Sequence, residues 1–396
     1  MKEYWFAVYP HCFLWLKGEE GLVYNTENHA KVSFWNTGLL AQKAEELSVM
    51  ENLYCIRLTE KELSDDRLNS WVQTMTAKEC AMLVEDNSTN ERPLSLPPIL
   101  KVQDEADYYR WEHRQGIDGN VIENLHRMVF HINGSTYGNE LYARQMLYPV
   151  ATDTHLSTDS ILRFARNARV SPFLTEISLV GNPFAYEGLD ALIEALQDVC
   201  PVSVHCTWQD VVTVPEQVER LAQKVRLHII MTHEATQEHL PAEADYTFAV
   251  TSEQDYGAAL KWEDGHGSVP VGIIPVYTGN NLHFFEECLY TDQESIAEIT
   301  MDKREVFIRQ KLNIHDFGLL TVMPDGKVYA NPNHPSVGHI GETPHAILYR
   351  EITEGQSWLR IRDQKPCCDC IFQWLCPSPS HYENVIGKPN LCHVKS

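Results

Sequence analysis

From Met128 to Asn139 the chain reads MVFHINGSTYGN. Met128 to Ile132 is a short run of the buried-strand type, and it opens into a polar loop punctuated by Gly134 and Gly138. Working outward, the same grammar repeats. Ser157 to Arg169 is a helix candidate with Ile161, Leu162, Phe164 and Ala165 on one side. Thr175 to Val180 is the next strand, closed by Gly181-Asn182-Pro183, and Tyr186 to Val199 the next helix. Strand Val202 to Cys206, helix Val214 to Gln223 and strand Val225 to Met231 follow, then strands at Tyr246 to Val250 and Gly272 to Tyr277. Strands alternating with helices predict a parallel sheet covered by helices. Six strands are too few for a closed eight-fold barrel, so an open, partial barrel is expected, with its working edge at the strand C-termini.

Upstream, residues 4–35 read as a small sheet. It comprises the aromatic run Tyr4 to Leu16, a turn at Lys17 to Gly21, and short strands at Leu22 to Tyr24 and Ala30 to Phe34. Helical spacing follows at Leu39, Leu40, Ala44 and Leu47, and at Leu68, Trp71, Val72 and Met75, with a third short helix from Thr76 through Leu83. Three strands followed by three helices predict a winged-helix-like α+β module over residues 1–90. Asn87 to Pro98, NSTNERPLSLPP, is polar and then proline-rich. A linker is therefore placed at 91–110, the barrel at 111–305 and a cysteine-rich domain at 306–396. The last opens with a hairpin, Phe317 to Met323 and Val328 to Ala330 around Pro324-Asp325-Gly326-Lys327.

The tail carries the densest chemistry. Five of eleven cysteines fall in the last thirty residues. Cys367, Cys370, Cys376 and Cys392 can present four thiolates to one centre, which suits zinc or an iron–sulfur cluster. A formal charge of −23 argues against non-specific nucleic-acid binding. No long apolar run predicts a membrane span, Glu3 interrupts any signal-peptide pattern, and a cytoplasmic location is expected. In that compartment a disulfide framework is a poor explanation for the tail. Nucleophile-elbow, phosphate-loop and His-Glu-x-x-His signatures do not occur in the sequence. His131 and His205 fall on expected strands, and His126, His228, His233, Asp210 and Glu176 are scattered polar residues without a motif.

The C-terminal third resembles the auxiliary-cluster, or SPASM, domain of radical S-adenosylmethionine peptide-modifying enzymes. The motifs are Cys367-x2-Cys370-x5-Cys376 with a distant Cys392, the Pro324-Asp325-Gly326 hairpin, and Val337-Gly338-His339-Ile340. The resemblance implies one [4Fe-4S] cluster on Cys367, Cys370, Cys376 and Cys392, with zinc as the alternative from donor chemistry. It also places Ser380 and Asn331 where an inner cluster takes cysteines. The central region is similar to the radical enzymes' barrel, but Gly134, Gly138 and Leu141 stand in place of the Cys-x3-Cys-x2-Cys triad. Gly181-Asn182-Pro183 stands where the family has Gly-Glu-Pro in its S-adenosylmethionine-binding motif. No S-adenosylmethionine cluster is therefore expected, and no catalytic residue is assigned.

The tail CIFQWLCPSPSHYENVIGKPNLCHV resembles the pseudo-radical-SAM proteins of the GG-Bacteroidales peptide maturation systems. That resemblance implies a non-catalytic accessory that presents a Gly-Gly leader, or the substrate it precedes, to an authentic radical enzyme. The N-terminal module would then recognise peptide by strand addition at an edge formed by Lys31, Val32, Ser33 and Phe34. Two other readings compete with it: an enzyme reusing the barrel cavity for non-radical chemistry, and a purely structural partner.

Overall fold

The computed structural model describes residues 2–87, 91–98, 119–232, 240–241, 243–265 and 271–395. Residues 99–118, spanning the end of the expected linker and the start of the expected barrel, and His233 lie outside the described residues.

The first unit departs from the winged-helix expectation. It is built from strands β1 (Glu3–Val8), β2 (Cys12–Lys17), β3 (Glu20–Asn25), β4 (Lys31–Trp35), β5 (Cys55–Thr59) and β6 (Ala81–Glu85). These form two three-stranded sheets, ordered β5-β1-β6 and β2-β3-β4. The aromatic run from Tyr4 is two strands, because Pro10 falls between them and residues 10–11 turn. The expected third helix is strand β6, since Glu79 takes a left-handed φ of 54° that ends the helix Asp66–Ala77, and Ala81 to Glu85 then pairs with β1. Residues 91–98 follow this unit closely: Arg92 donates to the carbonyls of Asn52 and Cys55, and Ser95 donates to that of Val8.

All six expected central strands form: β7 (Arg127–His131), β8 (Glu176–Val180), β9 (Val202–Thr207), β10 (Arg226–Met231), β11 (Asp245–Val250) and β12 (Val271–Pro275). They are parallel neighbours in sequence order. Strand β13 (Leu319–Val322) joins β7 in parallel, and β14 (Lys327–Tyr329) and β15 (Gly338–His339) extend the edge antiparallel, making a nine-stranded sheet. One face, including Met128, Phe130, Ile177, Leu179, Leu227 and Ile229, is buried in the main core with helices such as Thr158–Ala168 and Leu189–Gln197. The β2-β3-β4 sheet packs on the tail: Phe13, Leu22 and Tyr24 share a core with Met301, Phe307, Ile371 and Leu375.

Candidate functional site

The period-2 alternation of the parallel strands leaves their second face with Arg127, His131, Glu176, Ser178, His205, Arg226 and His228. A two-sided buried sheet ordinarily carries apolar residues on both faces. This face instead walls a cavity of about 430 Å³, lined by three of the histidines singled out in the sequence, His131, His205 and His228. Burial holds His131 down to about 4 and His205 well below the ordinary imidazole range, so both are neutral near pH 7. His205 stacks on His228 with ring centroids 4.4 Å apart. Glu176 accepts from Ser203, whose hydroxyl also meets that of Ser178. Asp210 lies elsewhere, in the capping box that starts the helix Trp208–Thr213, and receives Ser135 Oγ at 3.1 Å.

The segment after β7 crosses this face as a plug. Gln145 exchanges two hydrogen bonds with Tyr277 beyond β12, at 2.9 and 2.8 Å. Arg144 Nε donates to Asn333 beyond β14, which returns a bond to the Arg144 carbonyl. The plug thus ties the two ends of the sheet. Met146, Tyr148 and Val150 pack against Ile230, Ala249 and Val276 near the strand C-termini. Gly134 and Gly138 are the points where the returning chain touches the β7 loop. A Cβ at Gly134 would overlap the Thr152 carbonyl oxygen and lie 2.7 Å from its nitrogen, and one at Gly138 would overlap the Val150 carbonyl. These two positions accept glycine because backbone fills the side-chain space. Leu141, the third position, is the second residue of the short helix Glu140–Ala143, its N–H bonded to the Asn139 cap.

The other sequence-singled slots also have local roles. Asn182 caps the turn Pro183–Ala185 through bonds to the amides of Phe184 and Ala185, and its own backbone exchanges bonds with the Asn133 side chain. Gly181, with φ 142°, lies where a Cβ would meet Asn133. Ser380 caps the helix His381–Ile386. Asn331, 1% exposed, donates to both oxygens of Asp316 at 3.0 Å, and Asp316 meets His381 Nε2 at 2.7 Å.

Cys367, Cys370, Cys376 and Cys392 line one pocket with Arg362, Gln373 and Leu391. Cys368 has a different position, its carbonyl receiving Lys17 Nζ at 2.7 Å. The donor set fits a four-thiolate centre. Val394 N–H donates to Cys392 Sγ at 3.2 Å and Arg362 Nη1 stands 3.9 Å from Cys367 Sγ, contacts that favour thiolate charge. Without a metal, burial pushes the Cys376 thiol up to about 12. Among the described residues no three His, Cys, Asp or Glu side chains are grouped so as to hold a single ion. A zinc ion needs its sulfurs about 2.3 Å away on one centre, whereas each iron of a cluster takes one cysteine. The enclosed volume is about 20 Å³, so its walls must spread to admit a cluster. Sequence reasoning missed the keystone of this pocket, the Arg362–Glu383 ion pair at 3.0 Å, with side chains 10% and 2% exposed. A buried charge at Arg362 was not legible because its partner is twenty-one positions away with no shared period.

The expected peptide edge is a sheet edge: among the described residues β4 pairs with β3 alone. The bonds Asn25 N to Ala30 O and Asn36 N to Glu19 O set the ladder's parity. In that alternation the backbone groups of Val32 and Phe34 face β3, while the N–H and C=O of Ser33 point off the edge. Val32 is buried in the core, Phe34 lies against Trp71, and the Lys31 amine is tied to the carbonyls of Ala297 and Ile299. Beside the edge runs a groove of about 470 Å³ floored by Phe34, Ile296, Ile371 and Phe372.

No family model and no curated protein matches the chain. The solved structures it resembles include three of one protein. The crystal structure of Streptococcus suis SuiB is 11% identical, covering 98% of this chain and 99% of that one with a TM-score of 0.43. SuiB bound to precursor peptide SuiA is 10% identical over 99% and 98%, with a TM-score of 0.44. SuiB bound to S-adenosylmethionine is 9% identical over 99% of each, with a TM-score of 0.38. Among the described residues no helix is long and apolar enough to cross a membrane.

Proposed function

We propose that the protein is a non-catalytic, radical-SAM-like accessory of ribosomal peptide maturation that holds a precursor leader for an authentic radical enzyme. The observation that carries this reading is the free edge of β4 beside an apolar groove. An extended peptide added there gains main-chain bonds from Ser33 and side-chain contacts from Phe34, Ile371 and Phe372. In this reading residues 1–90 are the peptide recognition module, 91–110 a connector, 111–305 a degenerate partial barrel and 306–396 a SPASM-like domain. The backbone packed against Gly134 and Gly138 supports the absence of S-adenosylmethionine-cluster chemistry, because a cysteine at either place has no room for its Cβ. Cys367, Cys370, Cys376 and Cys392 would hold one [4Fe-4S] cluster. When bound, it would supply electron-transfer capacity and a cross-link for the tail. The chain itself holds the pocket's walls through Arg362 and Glu383, and the same tail presents Ile371 and Phe372 to the groove.

The test is fluorescence polarisation of a labelled double-glycine-type leader peptide against wild type and Ser33→Pro. Proline removes the outward N–H while leaving the β3 ladder, in which Ser33 N–H has no part. A loss of about 1–2 kcal/mol, roughly tenfold in affinity, is expected. Equal binding by both proteins removes the edge from the proposal.

A further inference from the structure

The cavity on the polar sheet face lies apart from the β4 groove and the cysteine pocket, and the proposed function does not use it. Its opening is reversed from the usual arrangement of parallel sheets, whose sites lie at the strand C-termini. At the C-terminal ends Val180 and Thr207 are 0% exposed and Ile230 is 1%, sealed with the plug residues Met146, Tyr148 and Val150. At the opposite ends Arg127 and Arg226, the first residues of β7 and β10, are exposed and line the cavity. The mouth is therefore at the strand N-termini.

The mouth and the interior differ in chemistry. Among the described residues the Arg127 side chain has no hydrogen-bond or ion-pair partner. Arg226 and Arg144 line the same cavity, in a chain whose overall charge is −23. Arg226 is paired with Asp245 at 2.6 Å, and Glu176, the register neighbour of Arg127 on β8, accepts the Ser203 hydroxyl; among the described residues the Arg127 guanidinium is the cation at the entrance without an ion-pair partner. Further in, Val129, Leu147 and Leu319 supply an apolar wall. His131 is 1% exposed, and neither of its ring nitrogens has a hydrogen-bond partner among the described residues. Buried polar atoms are ordinarily satisfied, and an exception is a place where a ligand group recovers a lost bond. The volume, about 430 Å³, falls in the range of small-molecule sites, roughly 300–1,000 Å³.

We infer that this cavity binds a small carboxylic acid with an apolar body and one hydrogen-bonding group, entering at the strand N-termini. The carboxylate meets Arg127, whose planar fork suits it. The body lies against Val129, Leu147 and Leu319, and the hydrogen-bonding group reaches His131. A free acid and the C-terminal end of a peptide share this chemistry.

Isothermal titration of the full chain with the N-acetyl derivatives of leucine, phenylalanine and histidine tests it. At least one acid should bind, and its uncharged amide should bind about tenfold more weakly. Arg127→Met should weaken the acid by a similar factor and leave the amide unchanged. That variant alters an exposed, unpartnered side chain, so folding is preserved. A tripeptide ending in the same residue distinguishes the sources: binding as tight as the acetyl amino acid marks a chain end as the ligand, and binding confined to the acetyl amino acid marks a free acid. The inference is overturned if no acid binds, if acid and amide bind alike, or if Arg127→Met binds the acid as wild type does.

Discussion

Replacing Gly134 by alanine tests the plug that closes the C-terminal side of the sheet. The new Cβ would lie 2.7 Å from the Thr152 nitrogen and 2.9 Å from its carbonyl carbon, and would overlap the carbonyl oxygen. These are main-chain atoms, so no side-chain rotation relieves them. The segment is also held on both sides, by Ser135 N–H to the Val150 carbonyl at 3.0 Å and by Leu156 N–H to the Ile132 carbonyl at 2.8 Å. Overpacking costs about 1–3 kcal/mol, and stretching those two bonds about 1 kcal/mol each, so Gly134→Ala should destabilise by about 3–5 kcal/mol. Gly257 is the control. It lies in the helix Glu253–Gly265, and a Cβ there meets nothing within 4 Å. Gly257→Ala should stabilise by about 0.5–1 kcal/mol. Urea unfolding followed by circular dichroism measures both. If Gly134→Ala unfolds at the wild-type midpoint or above it, the close backbone approach is wrong, and with it the argument that cysteine has no room at this position.

Three further outcomes follow from the tail and the cavity. Glu383→Ala leaves Arg362 buried without its partner and strips the cap from Ser380 and a bond from Leu391, so a loss of about 3–5 kcal/mol is expected in the same unfolding assay. After anaerobic purification, iron and sulfide with visible absorption should accompany wild type and disappear from Cys370→Ala; zinc without a visible band would replace the cluster reading. His131 is held at about 4 in the folded protein against about 6.5 in the unfolded chain. Between those values the unfolded chain takes up the proton first, so stability is complete above about pH 6.5 and falls by about 3 kcal/mol in all as pH drops toward 4. His205 and His228, also pushed down by burial, add to that slope. Stability–pH curves should therefore be shallower for His131→Leu, and an unchanged slope would show that His131 is not buried as a neutral ring.

Short-range patterns carried most of the architecture. The apolar runs at Met128, Thr175, Val202, Val225, Tyr246 and Gly272 all became strands of one sheet, because alternating strands and helices leave few ways to bury both. Ser157, Asp292, Asp302 and Thr343 cap the helices they precede, a signal readable within four residues. The thiol set could be picked out from spacing, whereas the outward position of Ser33 needed the β3–β4 ladder.

The N-terminal module shows where such reading stops. Ala81 to Glu85 has the composition of either a helix or a strand, and pairing with β1, more than seventy residues earlier, makes it a strand. The plug was hidden for the same reason, since Gln145 meets Tyr277 and Arg144 meets Asn333 across intervals that no periodicity spans. By itself the sequence determined the order of the six central parallel strands, the cysteine set and the absence of thiols at Gly134, Gly138 and Leu141. Only the tertiary structure decided that Gly134 and Gly138 are filled by backbone, that Arg362 is paired inside the cysteine pocket, and that a polar cavity opens at the strand N-termini. Local patterns depend on a residue's neighbours in the chain, whereas closed space and buried charge depend on partners brought together only by folding.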